Sequence, residues 1–466
     1  MLMSDSWTIA DGRVAMSRSR VDVLRADING WLAHRRKADT FEQFATQLER
    51  IEGVLLRSID AVAATIPATG GEVAAVYERC RLADRRTVWV ERVWRYFAER
   101  FDQRDGDRRV AACALAADEV LWSCWRPCFS TGLTDSRPPA PRRVPLPYLD
   151  AVHTPEAFPA GLVPADLSAV HADAPFVREH LQALPVPTVR VPFGAASEPW
   201  LLALVAHETG HHLQFATGLV VPFRDAVKAA VERADGDTET VQRWCDWSIE
   251  VFADLVSVAL LGQWALWPIA ELELRDRGRM TEPRGAYPPG LVRLRLLAAA
   301  IEAAGLDPSQ AWPTGTPPSD ADSLPDLAFV DDVVAAGTAI GPEGFDLTRW
   351  IDLRAGGMEP GGEVDQWRRW FSGGPLPPTP RSLRAPRLVV AGLVAATADA
   401  RREAAARRDT ILATIRGQAF ERIIALRALG RRAADEAAPE EADLGALGKE
   451  LAELDPDALG DGEAGP

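Results

Sequence analysis

The chain has 466 residues, 47% of them hydrophobic, and a formal net charge of −15. That length and apolar share support a sizeable core or two to three domains, and the acid excess argues against a nucleic-acid partner. No basic stretch followed by an apolar run opens the sequence, and the longest apolar stretches, 256–270 and 388–396, fall short of the roughly twenty residues that span a bilayer, so a soluble, cytoplasmic protein without a membrane span is expected.

The first 130 residues read as helical. Phe44, Leu48, Ile51, Leu55, Ile59 and Val62 keep helical spacing, and Trp89, Val90, Val93, Trp94 and Phe97 form a second apolar face. A further helix is expected over 110–125. Residues 131–167 form a connector, proline-rich from Arg137 to Pro164 and expected to be extended across whatever cleft follows. Five cysteines, at 80, 113, 124, 128 and 245, form no C-x-x-C pair, which fits reduced thiols in a cytoplasmic protein.

A core is expected over 168–304. Pro187-Thr188-Val189-Arg190-Val191-Pro192 is β-branched and alternating, and reads as a short strand; prolines at both ends suit an edge position or a plain connector. Next, His207-Glu208-Thr209-Gly210-His211 lies within a helix predicted over 201–220. Ser197-Glu198-Pro199 is a start signal and Gly218 a stop. The H-E-x-x-H pattern fixes three residues and arises by chance in roughly one chain of this length in a hundred, so its context decides its weight. Residues four apart share a helix face. His207 and His211 can therefore hold one metal ion, with Glu208 beside it as general base for a bound water.

A catalytic zinc site wants three protein ligands and an open position. A second helix, expected over 244–262, carries Glu250 and Asp254 one turn apart among apolar residues. A carboxylate buried there costs several kcal/mol unless it is paired or binds metal. Glu250 is the candidate third ligand. Asp254 would accept the other ring N–H of a ligating histidine; acids facing water on an amphipathic helix are the alternative. His212 points away from His211, and Cys245, a competing soft ligand, faces elsewhere on its helix.

H-E-x-x-H followed by E-x-x-x-D on a second helix resembles the gluzincins, the thermolysin-like zinc metallopeptidases. Tyr287-Pro288-Pro289-Gly290-Leu291-Val292-Arg293 resembles the H-P-P-x-x-x-R segment of the membrane heat-shock and CAAX-prenyl endopeptidases, with Tyr287 in place of their histidine and without their transmembrane helices. The resemblance covers 207–295. It implies a zincin-like catalytic core with a short edge sheet; with the helical N- and C-terminal regions read from spacing, a mainly α (α+β) protein is expected. The resemblance also implies one Zn²⁺ per chain on His207, His211 and Glu250, peptide-bond hydrolysis with Glu208 as base, and substrate added to the edge strand. Tyr287 is the candidate oxyanion donor with Arg293 behind it, or else the ring of a packed turn.

After a linker over 305–327, residues 328–432 read as helical, and 433–466 as an acidic tail without stable structure. The partners expected are a peptide or protein substrate and a regulatory protein. Two other functions fit the same residues: a zinc-stabilised helical scaffold, and a stress or defence effector held inactive by a partner or by the proline-rich segment.

Overall fold

The computed structural model describes residues 2–68, 72–125, 144–168, 174–282, 284–313, 324–340, 358, 360–377 and 385–426. Residues 126–143, which include Cys128 and the first part of the connector expected over 131–167, lie outside them, as do His171 and the acidic tail.

The described chain is mainly helical, with one small sheet. Helices α1 (Leu2–Lys37), α2 (Ala45–Thr65) and α3 (Val73–Asp102) form an N-terminal bundle. The periodic residues Leu48, Ile51, Leu55, Ile59 and Val62 point into it, against Val14, Val21 and Ile28 of α1 and Val90, Val93 and Phe97 of α3. Phe41, Phe44 and Phe101 close one end as a ring cluster.

Helix α4 (Arg108–Trp125) buries its C-terminal half and belongs to a second, larger core. The sheet follows. Strands β1 (Leu146–Asp150) and β2 (Glu156–Phe158) flank β3 (Thr188–Pro192), β1 parallel and β2 antiparallel. The expectation of an edge position for β3 is therefore corrected: it is the central strand. Its prolines sit at its ends, where a missing N–H breaks little of the ladder; Pro187 still uses its carbonyl to accept from Leu146 N. Short helices α5 (Ala165–Ser168) and α6 (Ala174–His180) connect β2 to β3.

The second core is built by α7 (Leu204–Ala216), α8 (Val220–Arg233), α9 (Thr238–Asp246), α10 (Ser248–Leu261), α11 (Leu266–Glu273), α12 (Arg277–Thr281), α13 (Gly290–Ala303) and α14 (Val330–Thr338). Helices α15 (Glu363–Phe371), α16 (Ala385–Arg402) and α17 (Ala405–Ala425) complete it. The apolar run 388–396 is a core helix, fully buried in α16. Arg387 at its start is buried and donates to the carbonyls of Leu260 (3.0 Å) and Ser123 (2.8 Å), joining the C-terminal ends of α10 and α4. The stretch Ser248–Glu273 is apolar enough and long enough to cross a membrane by composition alone. It is 89% buried inside the protein and turns at Gly262, whose φ of 60° ends α10.

Candidate metal centre

The motif helix is shorter than its sequence pattern. Pro199–Ala203 form a 3₁₀ turn with the proline in first position, and α7 proper runs from Leu204 to Ala216. Ser197 makes no capping bond there. The stop signal holds: Gly218 has φ 69°, and Leu219 N donates back to Gln214 O at 2.9 Å. The second helix, expected to be continuous over 244–262, is two helices that meet at Trp247. The break leaves Glu250 in the first turn of α10 and Asp254 one turn on, both on the side that meets α7.

Gly210, inside the motif, determines how closely those helices approach. A Cβ at this position would stand 2.7 Å from Ala253 Cα, closer than packed atoms can come. The ligand-bearing faces of α7 and α10 are thus in backbone contact. The sequence marks Gly210 only as an unspecified position of the motif.

That approach brings three side chains together. His207 Nε2 is 3.2 Å from His211 Nε2 and 3.2 Å from Glu250 Oε2, and His211 Nε2 is 3.5 Å from Glu250 Oε1. All three residues are buried. Ligand atoms about 2.05 Å from a tetrahedral zinc ion stand about 3.3 Å apart, so these spacings fit one. The donor chemistry fits too. Asp254 Oδ1 lies 2.9 Å from His207 Nδ1. The ring N–H is poorly aligned with that oxygen, and Nδ1 makes no straight hydrogen bond; the contact is an ion-pair contact that favours the proton on Nδ1. The lone pair is then left on Nε2, turned toward the other two ligand atoms.

Charge in the metal-free chain follows from these contacts. Burial alone would lower the His207 pKa, but Asp254 and Glu250 outweigh it and lift it to about 10. His211, buried and beside a charged His207, falls to about 4. Burial works against the Glu250 carboxylate, yet the two histidines and Arg293 hold its pKa below the usual value. Asp254, likewise opposed by burial and held mainly by Arg293, drops to about 2. Glu208 is buried and makes no hydrogen bond or ion pair among the described residues. Burial, with Glu250 adding to it and His207 opposing, raises its pKa to about 7, the range suited to a general base at neutral pH.

Arg293 is buried against the candidate ligands. Its Nε and Nη2 grip the Asp254 carboxylate at 2.8 and 3.0 Å, and Nη1 reaches Glu273 at 3.2 Å. Nη2 also lies 3.4 Å from His207 Nε2 and 3.5 Å from Glu250 Oε2. Tyr287 ends a two-residue turn in which its N–H donates to Arg284 O at 3.0 Å. Its ring centre is 5.7 Å from the Arg293 guanidinium carbon. Tyr287 is 44% exposed. Glu250 first, then burial, raises its hydroxyl pKa. Tyr287 is thus on the expected turn, with its ring over Arg293, the arginine that contacts His207 and Glu250.

His212 faces away and lies 3.2 Å from the Thr188 carbonyl of β3. Burial drives its pKa down to about 3, so it stays neutral. Cys245 is only partly buried and is not in the ligand group; Cys80, Cys113 and Cys124 are buried and in no disulfide among the described residues. Sequence reasoning missed Glu273, a buried acid at the end of α11, whose one signal is a carboxylate closing the apolar run LWPIAELE.

No family model, curated protein or solved structure matches this chain.

Proposed function

We propose that this chain is a zinc-dependent hydrolase that cleaves peptide bonds, with His207, His211 and Glu250 as the metal ligands. The observation that carries the reading is the convergence of three buried ligand atoms within 3.2–3.5 Å of one another, beside a buried Glu208 without a partner among the described residues. Zinc bound there supplies a Lewis acid with a position left for substrate or water. Glu208 takes a proton from the attacking water and returns it to the departing amine. Tyr287, at the open side, donates to the oxygen on which charge develops. Asp254, held by Arg293, orients His207.

A structural zinc site would be closed by a fourth protein ligand, and the group among the described residues has three. That favours the hydrolase over a zinc-stabilised scaffold. The cysteines at 80, 113, 124 and 245, unpaired by disulfides among the described residues, suit a cytoplasmic setting. The test is cleavage of a proteome-derived peptide library by the zinc-loaded protein and by Glu208→Gln. Cleavage by the native chain, reduced about a thousandfold in the variant with zinc retained, is expected. Equal cleavage by both, or none by either, would sink the assignment.

A further inference from the structure

Glu273 has no place in the reaction just outlined, yet it is buried between two arginines that lead to different parts of the site. On one side Arg293 Nη1 donates to Oε1 at 3.2 Å, and the rest of that guanidinium grips Asp254, the carboxylate beside His207. On the other side Arg284 Nη2 donates to Oε2 in a close contact. Arg284 opens the turn that Tyr287 closes, paired to it through backbone hydrogen bonds in both directions. The same carboxylate is packed against the first residue of α13: a Cβ at Gly290 would be 3.2 Å from Oε2. Its negative charge thus also faces the N-terminal end of a 14-residue helix.

We infer that Glu273 is a positioning residue that ties the metal centre to the Tyr287 turn through Arg293 and Arg284. The chain of contacts runs His207, Asp254, Arg293, Glu273, Arg284, Tyr287. An ion held by His207 fixes its ring, and the ring lies 2.9 Å from Asp254, whose carboxylate the Arg293 guanidinium grips, so the position of Arg293 follows that of His207. Among the described residues Glu273 is the one acid held by both Arg293 and Arg284, so the turn tightens or loosens with the occupancy of the centre.

The inference rests on the metal reading, and its test separates the two. The full-length chain is titrated with Co²⁺, followed by its visible absorption, and amide hydrogen exchange is read at 284–290 with and without the ion. In the native chain Co²⁺ should bind and slow exchange at the turn. In Glu273→Gln, which keeps the shape and loses the charge, Co²⁺ should bind about tenfold more weakly and the turn should no longer respond. Arg284 is partly exposed, so Arg284→Gln should fold even if Glu273→Gln does not. It should bind Co²⁺ like the native chain and also lose the response. A native chain that takes up no Co²⁺ overturns the metal reading and this inference with it. Uptake with a turn that ignores the ion, or that responds equally in Arg284→Gln or Glu273→Gln, overturns this inference alone.

Discussion

Arg104 and Asp118 are both buried where the N-terminal bundle meets α4, and their charges are matched within the pair. Arg104 Nε and Nη2 donate to the two oxygens of Asp118 at 2.8 and 2.5 Å, and the remaining N–H groups reach the carbonyls of Arg100 and Pro147, each at 2.8 Å. The candidate metal centre is also buried, but its ligand atoms face chiefly one another, with Arg293 Nη2 3.4–3.5 Å from two of them. Two imidazole nitrogens and a carboxylate stand within 3.2–3.5 Å, and Glu208 has no partner among the described residues. A buried ion pair closed on itself contributes little net stability and needs no ligand. A buried group of converging lone pairs is costly until a cation satisfies it. The difference between the regions is thus in how their acceptors are matched, not in how much charge they bury.

The sharpest way to break that comparison is to unbalance the closed pair. Asp118→Ala leaves Arg104 charged and buried, and should cost about 4 kcal/mol of stability, read by denaturant unfolding, while zinc affinity in the folded protein stays unchanged. A loss of zinc binding at native stability would show that the two regions are not separate. Gly210→Ala should act the other way. It forces α7 from Ala253 and should cost about 2 kcal/mol, and it should weaken zinc binding because the ligand faces move apart. Unaltered zinc affinity in that variant would remove the argument from backbone contact.

The smallest effect expected is on pH dependence. The folded-state pKa of His207 is raised above its unfolded value, to about 10. Its contribution to the stability of the metal-free chain is therefore complete below about pH 6.5 and is lost as pH rises toward 10. Metal-free protein should melt a few degrees lower at pH 9.5 than at pH 7, and zinc-loaded protein should show less of this drop, since the ion replaces the proton. Parallel curves for the two forms would contradict the charge assigned to His207.

Much of this was legible in the residues. Helical periodicity located the apolar faces of α2 and α3, and spacing alone put His207 and His211 on one face and Glu250 and Asp254 on another. Two acids in an apolar helix signalled that they needed partners. Other features were hidden because they depend on what packs from elsewhere. The break at Trp247 carries no proline or glycine to mark it. Strand β3 looks like an edge because its ends are prolines, but its neighbours β1 and β2 come from a connector with weak strand signal. Gly210 reads as a tolerated helix glycine until Ala253 is opposite it. Glu273 lies outside every motif, and only the fold brings Arg293 and Arg284 to it.

The most direct measurement is zinc bound at equilibrium, by dialysis and elemental analysis of the full-length chain, alongside His211→Ala and Asp118→Ala. The account predicts one ion per native chain and per folded Asp118→Ala chain, and affinity reduced more than about a thousandfold in His211→Ala. A native chain that holds no zinc, or a His211→Ala chain that holds it as tightly as the native one, would contradict it.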